Sequence, residues 1–223
     1  MRELFVDRSD AGRQLADALA THKITDAVVL ALPRGGVPVA VEVARALHAP
    51  LDVLLVRKIG APGQRELAVA AVAEGPGDDL VLDAETMAVT GASRSYVERE
   101  AVHERAEIAR RRDAYRSGRA ALPVEGKTVV VVDDGIATGT TVRAALQALR
   151  RRRPERLVLA VPVAPPDAVA LLRPLVDDLV CLREPPAFYA VGAHYADFAQ
   201  VSDEEVVAAL RRAAPPATRK AAP

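Results

Sequence analysis

The chain has no tryptophan and only three phenylalanines and four tyrosines in 223 residues. Any aromatic cluster at a prospective ligand site therefore stands out. Cys181 is the sole cysteine, which excludes an internal disulfide framework and a cysteine-based metal cluster. Lysine is scarce, confined to Lys23, Lys58, Lys127 and Lys220. The formal net charge is zero, so no global field draws the protein to nucleic acid or to an anionic membrane. No apolar run approaches the roughly 20 residues of a membrane-spanning helix. The opening MRELFVDRSDAG lacks the basic and apolar regions of a secretory leader. A cytoplasmic protein, with neither membrane nor nucleic acid as a partner, is the expectation. What is present is ordinary for a globular chain: 50% hydrophobic and 27% charged residues, and length for one core plus an insertion.

The pattern along the chain alternates between strand and helix. Ser9 to Thr21 predicts an amphipathic helix with Ser9 as its cap. Ala27 to Leu32 predicts a strand, Pro33-Arg34-Gly35-Gly36 breaks it, and Val37 to Leu47 continues as a helix. Leu51 to Val56 predicts a second strand, followed by Arg57-Lys58 and a Gly/Pro loop from Gly60 to Gly63. Leu67 to Ala73 is apolar, Glu74-Gly75-Pro76-Gly77 turns, and Leu80 to Leu82 returns as a hairpin partner. Glu66 and Glu74 read as the ends of that hairpin. Residues 83–118 change character to Glu, Arg and Ala and predict a helical insertion, with Asp83 and Ser93 capping two helices. Its Arg110-Arg111-Arg112 run reads as a solvated helix face, because Glu98, Glu100, Glu104 and Glu107 flank it.

The rhythm then resumes. Strands are predicted over Lys127–Val132, Leu157–Val163 and Leu179–Leu182, and helices over Thr140–Arg152 and Pro165–Leu172. A last helix spans Ser202–Arg212, where Ser202 and Glu205 make a capping-box spacing. The whole predicts an α/β fold, a mostly parallel sheet flanked by helices on both faces. It is expected as a single domain over residues 1–214, with a flexible Pro/Ala-rich tail over 215–223.

The most informative stretch is VVVVDDGIATGTT, residues 129–141. An unpaired carboxylate within a packed sheet costs several kcal/mol, about 2–7 for even a neutral polar group. Asp133 and Asp134 must therefore lie where the strand leaves the core, at its carboxyl end. In open α/β sheets that edge is the ligand crevice. Gly135, Ile136, Ala137, Thr138, Gly139, Thr140 and Thr141 follow, small or hydroxylic except for Ile136, and then a helix. Free amides, hydroxyls and a helix amino terminus make a phosphate cradle. Two carboxylates would repel a phosphate, so they suit neighbouring hydroxyls. A sugar phosphate with vicinal hydroxyls satisfies both halves. The spacing matches neither GxxxxGK[ST] nor GxGxxG.

This stretch resembles the PRPP-binding signature of type I phosphoribosyltransferases: a hydrophobic strand, Asp-Asp, three residues, Thr-Gly and a hydroxyl residue. The resemblance implies that Asp133 and Asp134 hold the ribose and its associated Mg2+, and that residues 137–141 hold the 5-phosphate. ALPRGGVPVA, residues 31–40, resembles the family's pyrophosphate loop, which often holds a strained or cis peptide, with Arg34, Gly35 and Gly36 as its donors. VRKIGAPG, residues 56–63, resembles the Arg-Lys before the mobile loop of adenine-type members. It implies Lys58 near the pyrophosphate, with Arg57 either beside it or turned into a structural ion pair. FYAVGAHYADF, residues 188–198, loosely resembles the hood of 6-oxopurine members, with Phe188 on the base, then Gly192 and Asp197. His194 reads as structural.

The resemblance implies a type I phosphoribosyltransferase-like core with a small C-terminal hood over about residues 183–200. It implies PRPP and Mg2+ as substrate and cofactor, a nitrogenous base as acceptor, and release of pyrophosphate. The acceptor is unassigned in the bacterial group that the whole chain resembles. The insertion and the apolar strands leave room for a homodimer. Two other classes stay open: a regulator with this fold that senses PRPP or a nucleotide, and an enzyme that consumes PRPP without an acceptor.

Overall fold

Val129, Val130, Val131 and Val132 are each fully buried, as a strand covered on both faces requires. In the computed structural model, which describes residues 4–75 and 79–213, they form β6 (Thr128–Val132). This strand is the middle of an all-parallel sheet. Its neighbours are β1 (Ala27–Ala31) and β7 (Arg156–Val163), and the edges are β2 (Leu51–Val53) and β8 (Asp178–Arg183). The order is β2-β1-β6-β7-β8. Alternation along the strand sends its valines to two separate cores. Val130 and Val132 pack with α1 (Arg8–Leu19) and α2 (Gly36–Ala46). Val129 and Val131 pack with α5 (Thr140–Arg151) and α6 (Pro166–Leu172). The predicted α/β class, with a parallel sheet flanked by helices, is the observed one.

The strand order places a topological switch point between β1 and β6. The chain leaves β1 through α2 on one face and leaves β6 through α5 on the other, so the loops after these two adjacent strands open a crevice at their carboxyl ends. The stretches 33–36 and 133–141 singled out in the sequence lie at those two loops.

A second, antiparallel sheet of three strands comprises β3 (Val56–Ala61), β4 (Gln64–Ala73) and β5 (Asp79–Leu82). The expected strand Leu51–Val56 is divided here. Pairing with β1 stops at Val53, and Leu54-Leu55 carries the chain out to β3. The loop expected from Gly60 is instead the end of β3, with register shifts around Gly60. Gly60 permits this: a Cβ there would lie 2.5 Å from the Arg65 carbonyl oxygen. Leu80–Leu82 returns against β4 as expected. Pro76-Gly77 of the expected turn, and the tail 215–223, fall outside the described residues.

The helical insertion is α3 (Ala84–Thr90) and α4 (Arg94–Arg116). Asp83 and Ser93 cap them by accepting from the backbone N–H groups of Thr86 and Tyr96. The last helix, α7 (Asp203–Ala213), starts with the expected reciprocal pair, Ser202 N–H to Glu205 and Glu205 N–H to Ser202. The first helix differs. Asp7, not Ser9, is its cap, accepting from Asp10 N–H at 2.7 Å.

One buried charge cluster docks the insertion onto the parallel sheet. Arg116, in the last turn of α4, donates through Nε to both Asp52 oxygens at 2.9 and 3.0 Å, through Nη2 to the Val53 carbonyl at 2.9 Å, and through Nη1 to Glu74. Burial opposes the arginine's charge, but the bonds to Glu74 and Asp52 outweigh it and raise its pKa. Glu74, read as a hairpin end, does stand just after β4, and it is buried there for this reason.

Candidate active site

The loop after β1 lies directly against the loop after β6. A Cβ on Gly35 would sit 2.0 Å from Asp134 Oδ2, and one on Gly36 would sit 2.8 Å from the Val132 carbonyl oxygen and 2.9 Å from Asp133 Cα. Only glycine allows this approach. The Pro33–Arg34 peptide is cis. Arg34 leaves the loop toward α7, with Nη1 3.8 Å from Asp203 Oδ1. Tyr115 donates to the same Asp203 oxygen at 2.6 Å, and burial together with that bond pushes the phenol up to about 12.

Asp133 and Asp134 sit just past the end of β6, as the burial argument required. Asp133 Oδ1 accepts from Asp134 N–H at 2.9 Å. Burial, and then the charge of Asp134, pushes the Asp133 carboxyl well above the ordinary range. Burial also raises Asp134, while the hydrogen bond and charge of Arg8 oppose it. Arg8 Nε donates to Asp134 Oδ2 at 2.8 Å, and both side chains are nearly buried, at 11% and 13% exposure. Two adjoining carboxylates with one arginine between them have residual demand for positive charge or for hydroxyl donors. Among the described residues, no three His, Cys, Asp or Glu side chains converge to hold a metal. Mg2+ usually takes one or two carboxylates plus substrate oxygens and waters. This donor set therefore fits a Mg2+ that arrives with its substrate.

The rest of the loop divides into anchor and cradle. Gly135 is packed against Val163 and Val191, where a Cβ would meet Val191 at 2.6 Å. Ile136 is buried, and its N–H donates to the Val163 carbonyl at 2.9 Å. These two residues hold the loop down. Ala137 and Thr138 are exposed. Gly139, at φ 77°, takes the left-handed conformation as the N-cap of α5, and no side chain caps that helix. The first-turn amides of Thr140 and Thr141 therefore lack a side-chain acceptor, the arrangement that suits an anion.

Arg57 and Lys58 lie on β3, in the second sheet. Arg57 Nε pairs with Glu104 of α4 at 2.7 Å, so of the two alternatives the structural ion pair is the one formed. Lys58 is exposed. No hydrogen bond or ion pair joins it to Arg34 or the aspartates among the described residues. In the aromatic segment, Phe188 stacks on His194, with centroids 5.3 Å apart and planes 20° apart. One face of its ring is therefore taken, while neighbouring Tyr189 is 88% exposed. His194 is buried, and its carbonyl accepts from Phe5 N–H, which fits its structural reading. Gly192 makes room for Phe198, whose ring a Cβ would approach to 2.8 Å. Asp197 accepts from Ala199 N–H at 3.0 Å. Arg110 and Arg111 share Glu107 and Arg112 lies 4.0 Å from Asp113, so the basic run is partly offset by acids of its own helix.

Sequence reasoning missed two residues here. Arg8 carries no local signal, since its partner is 126 positions away. Tyr195, which donates to the Asp134 carbonyl at 2.5 Å, was marked only by the crowding of aromatics around it. Its phenol is raised by burial first and by Asp134 next. No helix of the described residues is long and apolar enough to cross a membrane.

The chain is similar to a Thermus thermophilus protein of known crystal structure, at 48% identity and a TM-score of 0.84, over 96% of this chain and 100% of that one. It is 49% identical over 215 residues to proteins of two Mycobacterium tuberculosis strains, named only provisionally as phosphoribosyl transferases. The match covers 95% of this chain and 47% of theirs, so the chain spans about half the length of those relatives. The family model described as "Phosphoribosyl transferase domain" matches residues 8–190, and the chain belongs to that family.

Proposed function

We propose that this domain is a phosphoribosyltransferase that takes PRPP with Mg2+ and transfers its 5-phosphoribosyl group to a nitrogenous base of purine or pyrimidine type. The observation that carries the reading is the contact of the two loops at the switch point, Gly35 and Gly36 against Asp133 and Asp134. That contact supports reading the β1 loop as the diphosphate side and the two acids as the ribose side of one crevice, with the uncapped α5 for the 5-phosphate.

In the reaction, a ring nitrogen of the base forms a bond to C1 of the ribose and releases its proton. The C1–oxygen bond breaks, and its electron pair leaves on pyrophosphate. Negative charge grows on that leaving group. In this reading Arg34, which lies 3.8 Å from Asp203, and the exposed Lys58 would turn toward it to supply positive charge, while Arg57 stays paired with Glu104. Asp133 and Asp134 orient the ribose hydroxyls and favour the positive charge that develops at C1. Asp133 and Asp134, together with substrate oxygens, would hold Mg2+, which would supply further neutralisation of the diphosphate. Phe188 and the more exposed Tyr189 offer aromatic surface for the base. The paired state of Arg110 and Arg111 gives no support to a nucleic-acid-binding regulator.

The test is calorimetric titration with PRPP and Mg2+, alone and beside a panel of purine and pyrimidine bases, with pyrophosphate release measured in parallel. PRPP binding and base-dependent release of pyrophosphate are expected. Absence of PRPP binding at millimolar concentration would withdraw the reading. Release without any base would replace the acceptor transfer by hydrolysis.

A further inference from the structure

Arg8 joins three elements through one side chain. Its Nε donates to Asp134 Oδ2 at 2.8 Å. Its Nη1 donates to the Ala199 carbonyl at 2.7 Å. Its guanidinium carbon lies 3.8 Å from the centre of the Phe198 ring. A planar fork can bond in its plane and stack on its face at once, which a lysine ammonium cannot do. The segment it reaches is itself built onto the amino terminus. Phe5 N–H donates to the His194 carbonyl, and Ala196 N–H and Asp197 N–H donate to the Phe5 and Val6 carbonyls. Tyr195 packs on Phe5 and Phe198, at 5.3 and 5.0 Å between centroids.

Asp134 thus has one carboxylate oxygen committed to Arg8 and its backbone carbonyl committed to Tyr195. Gly35 stands against the same carboxylate, so the group has little room for another rotamer. The carboxylate also shares a hydrogen bond with the Asp133 carboxyl, so the two acids present one fixed pair of acceptors to ligand hydroxyls. Arg8 offsets the burial of Asp134 and, through a directional bond, also sets the orientation of its carboxylate.

We infer that Arg8 is a positioning residue that fixes the Asp134 carboxylate for the ribose hydroxyls and ties it, through Phe198 and Ala199, to the C-terminal segment 195–199. The ribose-binding acid and the hood are then set as one unit, so a change in hood packing is felt as a change in ribose affinity. This inference rests on the PRPP reading above.

The experiment is a double-mutant cycle on the whole chain, using PRPP with Mg2+ as the titrant and thermal unfolding as the check on folding. The variants are Arg8→Met, Arg8→Lys, Phe198→Leu and the Arg8→Met/Phe198→Leu pair. Loss of an oriented charge-assisted bond predicts about 10- to 100-fold weaker PRPP binding in Arg8→Met. Arg8→Lys keeps the charge but not the fork or the stack, and is expected between Arg8→Met and wild type. Phe198→Leu is expected to weaken PRPP binding several-fold when Arg8 is present and not at all when Arg8 is Met, while lowering the unfolding temperature in both backgrounds. Equal PRPP affinity in wild type and a folded Arg8→Met, or the same factor for Phe198→Leu in both backgrounds, would overturn the inference. Should Arg8→Met fail to fold, Arg8→Lys and Phe198→Leu carry the test, and unchanged affinity in both overturns it. A wild-type protein that does not bind PRPP removes the PRPP reading and this inference with it, an outcome distinct from binding that ignores Arg8.

Discussion

Replacing Gly35 by alanine sets two physical effects against each other. Gly35 has φ −59° and ψ −35°, an ordinary right-handed conformation. On backbone grounds alone, alanine there should stabilise the protein by about 0.4–1 kcal/mol, through lost freedom of the unfolded chain. The new Cβ, however, would stand 2.0 Å from Asp134 Oδ2 and 2.6 Å from its Cγ. The carboxylate must leave that position and release Arg8. A hydrogen bond between charged groups contributes about 1.5–3 kcal/mol. The second effect wins, and a net loss of about 0.5–2.5 kcal/mol is expected. For a chain of this size that lowers the melting temperature by roughly 2–8 °C. PRPP affinity should fall about 10-fold or more, since the displaced acid no longer meets the ribose. Gly91→Ala is the control. Gly91 ends α3 at φ 69° with nothing within 4 Å of its Cβ position, so its cost is the left-handed strain of about 1–2 kcal/mol. It should lose comparable stability and keep its PRPP affinity. Differential scanning calorimetry and PRPP titration on both variants make the comparison. A Gly35→Ala protein as stable as wild type, with undiminished PRPP binding, would refute the contact between the two loops as the basis of the site.

Asp133→Asn should stabilise the ligand-free protein, measured in EDTA. The folded carboxyl is raised by burial and by Asp134, so its contribution is full below the ordinary value of about 4 and is lost as pH rises through the folded value. The variant's advantage should therefore grow from acid toward neutral pH in urea unfolding, and PRPP binding should be lost; a constant gap across pH would count against the assignment. Arg116→Met leaves Asp52 and Glu74 buried without their partner and should cost about 3–5 kcal/mol. Adding Glu74→Gln should recover part of that loss, and urea midpoints that do not differ between the two proteins would contradict it. Lys58→Gln touches an exposed side chain, so stability should stay within about 0.5 kcal/mol while turnover with PRPP falls; unchanged turnover would remove Lys58 from the site.

Where physics is local, the sequence is explicit. Val129–Val132 had to be covered on both faces, and two carboxylates could not follow them inside the core; both conclusions needed only nearest neighbours. Asp83, Ser93 and the Ser202/Glu205 pair cap helices within three residues of themselves, and their spacing alone announces them. Asp7 in place of Ser9 is the same chemistry shifted by two positions, where two acceptors competed for one helix start. The illegible part is long-range pairing of charge. Arg116 looked like any other residue of a solvated insertion, because nothing in its neighbourhood marks Asp52, 64 positions earlier, as its partner. Arg57 admitted two fates, and only the placement of α4 over β3 chose Glu104. Arg8 is the sharpest case. A chain this rich in arginine offers no statistical reason to single one out, yet this one ends on Asp134, the acid that the motif did reveal. Motifs expose residues whose backbone must do something unusual, such as the glycines that let two loops touch. They do not expose residues that act by reaching across the fold, because a long side chain can start from an ordinary helical turn.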